Sequence, residues 1–458
     1  MNTSNEMKKN IARVLFAGTN SGCGKTTVTC AVLQALVNRK LKVGAFKCGP
    51  DYIDPMFHSR IIGAKSGNLD LFFLGENTLK YLLAKNAQDM DISIIEGVMG
   101  YYDGLGIAST ESSTYEVARV TETPVVLIVN ARGASLSVLA QIKGFMEFRP
   151  DSGVRGVILN NCTKSTYDVL APEIEKAFGG RVKPLGFMPV VKESNLESRH
   201  LGLVTAAEVK DLKEKMNILA EKAAECVDID GIIGLAKEAP ELSFERTEPK
   251  KFDEPVRLGI ARDKAFCFYY EDSIDALKEM GAEIVSFSPL ADKEIPSGLD
   301  GMYLGGGYPE LYKKELSENK EMLKSVRNAV QSGMPCIAEC GGFMYLLENI
   351  EGVSMVGALP GGSQNTGKLQ RFGYVTITAE KDNMLCRKGE SIRAHEFHHY
   401  DAEDPGKDFT AEKANGKRWQ AAIATDTLYA GFPHFHFYSN LSFAENFYRA
   451  CLKRRKNV

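Results

Sequence analysis

The chain has 458 residues, 44% of them hydrophobic and 25% charged, with a formal net charge of −3. This composition is typical of a soluble α/β protein and excludes a disordered or fibrous chain, while the length predicts two or three domains with separate cores. The basic residues are scattered, which argues against a nucleic-acid partner. No apolar run has membrane-spanning length and the first ten residues are polar, so we expect no membrane partner and a cytoplasmic location.

The first half alternates short apolar runs with amphipathic stretches. Residues 26–37 have helical periodicity, and short apolar runs of strand length stand on either side of them. This pattern predicts a mostly parallel sheet covered by helices on both faces. The predicted strands are 14–17, 43–46, 92–95, 125–129 and 157–159.

A glycine-rich loop at 18–27 follows the first strand. Gly22 and Gly24 let backbone N–H groups turn toward phosphate oxygens, Lys25 can reach the terminal phosphates of ATP, and the Thr26 hydroxyl can bind Mg²⁺. Gly18 stands one place earlier than the strict phosphate-loop spacing requires. The residues predicted to bind ATP are Asn20, Ser21, Gly22, Cys23, Gly24, Lys25, Thr26 and Thr27.

Carboxylates after two further strands are candidates for the same site. Glu96 ends a buried strand at the phosphate side of such a sheet, and Lys47, Asp51 and Asp54 cluster among turn-forming residues after the second strand. The cluster could bind phosphate, metal and substrate together, or it could be an ordinary Asp-Pro turn. We predict that Thr26, Asp51 and Glu96 hold Mg²⁺.

Composition changes between the two halves of the chain. Residues 241–255 contain many charges and two prolines without apolar periodicity, which predicts a linker between domains 1–240 and 256–458. A new alternating series then predicts a second α/β domain. Its predicted strands are 257–261, 284–288, 301–304 and 336–338.

Several segments of the first half carry a family resemblance. The phosphate loop and the 46–55 cluster, together with 68–70 and 96–104, resemble the cobyrinic acid a,c-diamide synthase family, whose first half is similar to dethiobiotin synthetase. The resemblance implies a P-loop NTPase-like domain in which ATP phosphorylates a substrate carboxylate and ammonia displaces the phosphate. It also implies that Lys47, Asp51 and Asp103 lie around the γ-phosphate and the incoming carboxylate.

Cys340 is the candidate nucleophile of the second half. It follows a predicted strand, and Gly341 and Gly342 allow a sharp turn into a helix. The helix start and a neighbouring histidine are expected to lower the pKa of its thiol. The Gly341 N–H would face the oxyanion, and Gly307 in the glycine-rich turn 305–310 would supply the second donor.

The surroundings of Cys340 resemble class I glutamine amidotransferases of the cobyrinic and cobyric acid synthase group. His434 matches the histidine of that family and is predicted to be the general base. Most class I glutaminases have a glutamate two residues later, where this chain has His436, so His436 or a backbone group is left open as the partner that orients His434. Cys336 is predicted to be a buried structural cysteine.

Two further segments resemble parts of the family. The histidines of 395–399 lack H-E-x-x-H spacing, so a zinc site is not expected, and the segment is predicted to border the corrin-carboxylate cleft or a domain interface. Residues 199–203 are predicted to contact nucleotide or substrate.

The resemblance runs from about Val14 to Phe447. It implies two α/β domains, each with a mostly parallel sheet, one P-loop NTPase-like and one class I glutaminase-like. It also implies an ATP- and Mg²⁺-dependent ligase that amidates the a and c acetates of cobyrinic acid with ammonia that Cys340 releases from glutamine. Nickel sirohydrochlorin and hydrogenobyrinic acid are alternative substrates, and a homodimer is left open. A partitioning-type ATPase switch with a regulatory glutaminase-like domain is the alternative from another class, although Asn20 replaces the lysine that such switches usually carry.

Overall fold

The computed structural model describes residues 6–191 and 206–457. It divides the chain into two compact units, Met1–Thr247 and Glu248–Val458, called here the N-terminal and C-terminal units. The division falls within the predicted linker, but Leu242–Glu245 at the start of that segment is a strand instead. The predicted contact at 199–203 lies outside the described residues. No helix in the described ranges has the length and apolar character needed to cross a bilayer.

The N-terminal unit is built on a seven-stranded sheet in the order β4-β3-β5-β2-β6-β7-β8. Every neighbouring pair in it is parallel, so the carboxyl ends of the strands meet at one edge. The short strands β1 and β9 form a separate antiparallel pair. The strands are β1 (Glu6–Lys9), β2 (Arg13–Gly18), β3 (Val43–Cys48), β4 (Lys65–Leu69), β5 (Ile92–Glu96), β6 (Val125–Asn130), β7 (Val154–Asn160), β8 (Lys183–Met188) and β9 (Leu242–Glu245).

Helices of the N-terminal unit bury apolar faces against this sheet. Val28, Val32 and Leu36 recur at helical spacing and share one core with Met216 and Leu219 of a later helix. The helices are α1 (Lys25–Asn38), α2 (Ile53–Phe57), α3 (Leu71–Asn86), α4 (Thr114–Val120), α5 (Ser137–Glu147), α6 (Lys164–Phe178), α7 (Ala206–Cys226) and α8 (Ile229–Lys237), with a π-helix at His58–Ile62. The unit is therefore the predicted helix-covered parallel sheet.

The C-terminal unit has a six-stranded sheet in the order β12-β10-β13-β15-β23-β22. Its strands are parallel except for the last pair. The strands are β10 (Val256–Ala261), β12 (Ala282–Phe287), β13 (Gly301–Leu304), β15 (Cys336–Glu339), β22 (Ile423–Ala424) and β23 (Leu428–Gly431), and β11 (Phe266–Phe268) pairs with β14 (Gly306–Gly307). The helices are α9 (Glu271–Met280), α10 (Lys313–Glu318), α11 (Lys320–Gln331), α12 (Gly341–Leu346) and α13 (Leu441–Asn457), and 3₁₀ turns occupy Pro309–Leu311 and Phe437–Ser439.

The structure confirms the predicted fold class of two α/β units. The C-terminal unit also contains a second, largely antiparallel sheet that was not predicted. Two long strands, β18 and β19, form its centre, and β24 extends it beside β19. Its strands are β16 (Asn349–Ile350), β17 (Val353–Ser354), β18 (Gly362–Ala379), β19 (Ser391–Ala402), β20 (Phe409–Glu412), β21 (Arg418–Ala421) and β24 (His434–Phe435). Because β24 carries His434, this sheet positions one of the predicted catalytic residues.

Candidate functional site

The glycine-rich loop of the N-terminal unit joins β2 to α1. Gly22 and Gly24 have φ of 80° and 89°, a region that favours glycine. A Cβ on Gly24 would lie 1.9 Å from Asn160 Nδ2, and that amide donates a 2.9 Å hydrogen bond to the Cys23 carbonyl. The loop backbone therefore has a fixed conformation at the N-terminus of α1, as a phosphate-binding loop requires.

The predicted nucleotide-binding side chains spread over this loop and the first turn of α1. Asn20 and Ser21 are exposed at the loop, whereas Cys23 is buried beneath it. Lys25 is buried, and burial followed by the charge of Lys47 lowers its pKa. Thr27 is half-buried beside Thr26.

A buried charge cluster lies where β3 and β5 end. Lys47 pairs with Glu96 across these strands, with its Nζ 2.8 Å from Glu96 Oε1 and 2.7 Å from Asp54 Oδ2. The Thr26 hydroxyl donates a 2.6 Å hydrogen bond to Glu96 Oε1. The structure thus brings Thr26, Lys47 and Glu96 together and adds Asp54.

Charge pairing in this cluster outweighs desolvation. Burial raises the pKa of Glu96, but Lys47 and His58 hold it well below its usual range. Burial lowers the pKa of Lys47, but Glu96 and Asp54 reverse the direction and raise it. Both groups are therefore charged, which is the state that phosphate and metal binding need.

His58 is a member of the cluster that the sequence did not reveal. Its Nε2 lies 3.2 Å from Glu96 Oε2, but the alignment is not that of a hydrogen bond, and Glu96 Oε2 and both ring nitrogens have no hydrogen-bond partner among the described residues. His58 begins the π-helix, an irregular turn often found at functional sites. No spacing pattern links residues 58 and 96.

Asp51 and Asp103 are placed by local backbone hydrogen bonds. Asp51 Oδ1 accepts from the Ile53 N–H at 2.7 Å, and burial followed by Asp54 raises the pKa of Asp51. Asp103 is exposed, and its Oδ2 accepts from the Gly100 N–H at 2.9 Å. The 96–104 loop contacts the start of the phosphate loop, because the Tyr101 N–H donates a hydrogen bond to the Gly18 carbonyl.

This arrangement fits a magnesium nucleotide. Lys25 and the Thr26 hydroxyl stand at the phosphate end of α1, and Glu96 Oε2 is a buried oxygen without a hydrogen-bond partner in the described chain. Within residues 6–191 and 206–457, no group of three or more His, Cys, Asp or Glu residues could hold a metal alone. Phosphate and water oxygens would complete the coordination of Mg²⁺, as is usual for this ion.

In the C-terminal unit, Cys340 lies on the turn between β15 and α12. Its φ of 48° and ψ of −99° form a strained backbone conformation for a residue with a side chain. The Cys340 N–H donates to the Gly431 carbonyl at 2.7 Å, and a Cβ on Gly342 would lie 2.1 Å from the Leu304 carbonyl oxygen. Close backbone packing thus holds the strand-to-helix turn, while Cys336 is buried in β15.

The two predicted oxyanion donors are neighbours. A Cβ on Gly341 would lie 3.1 Å from the Gly307 backbone nitrogen and 2.8 Å from Pro309 Cδ. Gly307 itself has no room for a side chain, since a Cβ there would lie 2.1 Å from the Ala265 carbonyl oxygen. Glycine at both positions lets the backbone segments around 307 and 341 approach each other next to Cys340.

Glu339 is the partner of the predicted base. His434 Nδ1 lies 3.2 Å from Glu339 Oε2, and the Tyr303 hydroxyl donates to Glu339 Oε1 at 2.9 Å. His436 Nδ1 instead accepts from the Tyr438 N–H at 3.2 Å. The structure therefore places the carboxyl group of the residue before Cys340 against His434, a partner that the sequence did not suggest.

Burial keeps the catalytic groups neutral. Burial, with His398, lowers the pKa of His434 to about 3, and burial raises the pKa of Glu339 to about 8. The expectation of a lowered pKa for Cys340 is wrong, because burial, followed by the Glu310 and Glu396 carboxylates, raises it. Burial therefore leaves the His434 imidazole neutral and the Cys340 thiol protonated.

The 395–399 segment runs along β19 next to His434. The His395 ring stacks on the His434 ring with centroids 5.2 Å apart, and β19 pairs with β24 at these two residues. His398 Nε2 lies 2.8 Å from Glu396 Oε2, and Trp419 Nε1 donates to Glu396 Oε1 at 3.0 Å. The segment forms part of the histidine side of this site, and its contact with a corrin carboxylate stays a prediction.

Fold and site together define a class: a P-loop nucleotide-binding unit joined in one chain to a class I-type glutamine amidotransferase unit. Comparison with protein families agrees. Residues 14–204 match the CobQ/CobB/MinD/ParA nucleotide binding domain, and residues 257–441 match the CobB/CobQ-like glutamine amidotransferase domain.

Relatives cover nearly the whole chain. The cobyrinate a,c-diamide synthase of Clostridium acetobutylicum is 40% identical to this chain, over 95% of this chain and 99% of the relative. The synthase of Caldanaerobacter subterraneus is 39% identical, over 95% of this chain and 98% of the relative. The relative from Listeria monocytogenes, with the same name, is 38% identical over 96% and 99%. The chain belongs to the cobyrinate a,c-diamide synthase family and is a glutamine-dependent amidotransferase ligase.

Proposed function

We propose that this enzyme converts the a and c acetate carboxylates of cobyrinic acid into amides, with ATP as the activating agent and glutamine as the nitrogen donor. The observation that carries the proposal is the pairing of His434 with Glu339, the residue before Cys340, in a chain that also brings Thr26, Lys47 and Glu96 together beside a phosphate loop. The names of the relatives support the choice of substrate.

In the C-terminal unit, Cys340 Sγ attacks the side-chain amide carbon of glutamine. Because Nδ1 of His434 is occupied by Glu339, Nε2 is the nitrogen that takes the thiol proton and passes it to the departing ammonia. The N–H groups of Gly307 and Gly341 stabilise the oxyanion. Water then cleaves the glutamyl thioester, so glutamate leaves and the thiol is restored.

In the N-terminal unit, a substrate carboxylate oxygen attacks the γ-phosphorus of ATP and ADP leaves. Lys25 and Lys47 offset the charge on the phosphates and the incoming carboxylate, and Asp51, Asp103 and the backbone of the glycine-rich loop position them. Bound Mg²⁺, held by Thr26 and Glu96 with Asp51 nearby, would neutralise phosphate charge. Ammonia displaces the phosphate of the acyl phosphate and forms the amide.

The two half-reactions need a shielded path, because ammonia released into water is protonated and loses its nucleophilicity. Cys340 must also stay a free thiol. A reducing compartment such as the cytoplasm meets that requirement.

The test is amidation by the purified protein with ATP, Mg²⁺, glutamine and a panel of cobyrinic acid, hydrogenobyrinic acid and nickel sirohydrochlorin, with products identified by mass. We expect two successive amidations of cobyrinic acid. Turnover of another macrocycle without turnover of cobyrinic acid would contradict the substrate, and turnover of none of them would contradict the ligase proposal.

A further inference from the structure

Glu310 lies beside the nucleophile without a role in the chemistry above. It follows Pro309, whose Cδ would lie 2.8 Å from a Cβ on Gly341, and its carboxylate is close enough to Cys340 to help raise the pKa of the thiol. Glu310 Oε2 is buried and has no hydrogen-bond partner among the described residues. A carboxylate oxygen in that position is costly unless a ligand pairs with it.

The charges around Glu310 favour a cationic ligand. Glu351 and Lys313 are its charged neighbours on the adjoining elements, and Lys313 Nζ is already paired with Glu351. The Tyr400 hydroxyl and the Cys340 thiol are close enough to Glu310 for its charge to help raise their pKa values. None of these groups gives Oε2 a hydrogen bond.

We infer that Glu310 accepts the α-ammonium group of the glutamine donor and so forms the amino-acid subsite of the glutaminase. The inference rests on the proposed function, because it needs the glutamine amide carbon at Cys340 and the amide oxygen between Gly307 and Gly341. The α-ammonium is the only cationic group of that substrate and lies a few bonds from the amide carbon. A hydrogen-bonded ion pair with Glu310 would fix the amino-acid end while the amide end meets Sγ.

The assignment predicts the substrate specificity of the glutaminase. L-Glutamine should be hydrolysed far better than glutaramate, which has the same amide and carboxylate but lacks the α-amino group. The loss of a charged hydrogen bond corresponds to about 10- to 100-fold in kcat/KM. Free ammonia bypasses the subsite, so ammonia-supported amidation should be independent of Glu310.

The experiment compares wild type, Glu310→Gln and the control Glu315→Gln, whose side chain is exposed on α10. We expect Glu310→Gln to lose about 10- to 100-fold in kcat/KM for L-glutamine. It should hydrolyse glutaramate as wild type does, which shows that the C-terminal unit is folded, and it should retain ammonia-supported amidation. Wild type alone supplies a second measurement, its preference for L-glutamine over glutaramate.

Equal preference in wild type and Glu310→Gln, or no preference in wild type, would overturn the Glu310 assignment and leave the glutaminase intact. Wild-type protein that hydrolyses neither amide would overturn the proposed function and this assignment with it.

Discussion

The two units keep buried groups reactive in opposite ways. In the N-terminal unit, Lys47 lies within 2.8 Å of both Glu96 and Asp54, and charge pairing keeps all three suited to a highly charged ligand. In the C-terminal unit, burial holds His434 and Cys340 neutral, and backbone strain at Cys340 sets the geometry. Under the proposed function, fixed charges would prepare phosphoryl transfer, whereas geometry and one proton transfer would prepare the attack on the glutamine amide.

The largest effect should follow from removal of the thiol. Cys340→Ala should lower glutamine-dependent amidation at least about a thousandfold, because the nucleophile is lost, while ammonia-supported amidation continues. Cys336→Ala, four residues earlier and buried in β15, is the control and should retain use of glutamine. Assays with each nitrogen donor check this prediction, and equal loss with both donors would show that the C-terminal unit does more than release ammonia.

Removal of the cation from the buried charge cluster should lower the free energy of unfolding more than any other substitution considered. Lys47→Met leaves the Glu96 and Asp54 carboxylates buried without their cation, which should cost about 3 to 5 kcal/mol in the free energy of unfolding and abolish ATP-dependent amidation. The exposed Lys164, 2.8 Å from Asp168, provides the control, since Lys164→Met should cost less than about 0.5 kcal/mol. Urea unfolding followed by circular dichroism measures both, and similar small losses would contradict fixed charges as the basis of this site.

The orientation of the base can be tested without removal of its ring. Glu339→Gln should lower kcat for glutamine hydrolysis about 10- to 100-fold with little change in KM, because the amide holds Nδ1 less well in the productive orientation. Fluorescence of Trp419, the single tryptophan of the chain, reports whether the C-terminal unit stays folded. An unchanged kcat would mean that Glu339 is structural only.

The smallest effect concerns pH. Burial raises the pKa of Glu310 to about 7, so Glu310 is increasingly protonated below that pH, and kcat/KM for glutamine should fall about tenfold per pH unit there and recover above it. Glu310→Gln should lack this limb. His434, with its pKa lowered to about 3, stays neutral in this range, and Glu339, with its pKa raised to about 8, stays largely protonated below pH 7. A limb below pH 7 that persists in the variant would therefore contradict the assignment of the pH dependence to Glu310.

The sequence predicted the parts of the fold whose signals are local. Apolar runs located nine of the parallel strands to within a few residues but missed β4, β8 and β23, and glycine spacing located both turns. The long strands β18 and β19 were not predicted, because Gly362–Ala379 is rich in polar residues and largely exposed at its centre and so has no apolar run to detect.

The members of the candidate site that could be predicted are likewise those with a local sequence signal. Cys340, His434, Lys25 and Thr26 stand in recognisable strings. Glu339 acts on a residue 95 positions away, so only its place at the end of a buried strand was a signal.

Isotopes followed from both substrates test the acyl phosphate mechanism most directly. Cobyrinic acid with ¹⁸O in its acetate carboxylates is amidated with ATP and glutamine labelled with ¹⁵N in its side-chain amide. The acyl phosphate mechanism predicts ¹⁵N in each new amide and transfer of one ¹⁸O atom to inorganic phosphate for every amide formed. Amides that carry ¹⁵N while the phosphate carries no ¹⁸O would contradict activation of the carboxylate by phosphoryl transfer.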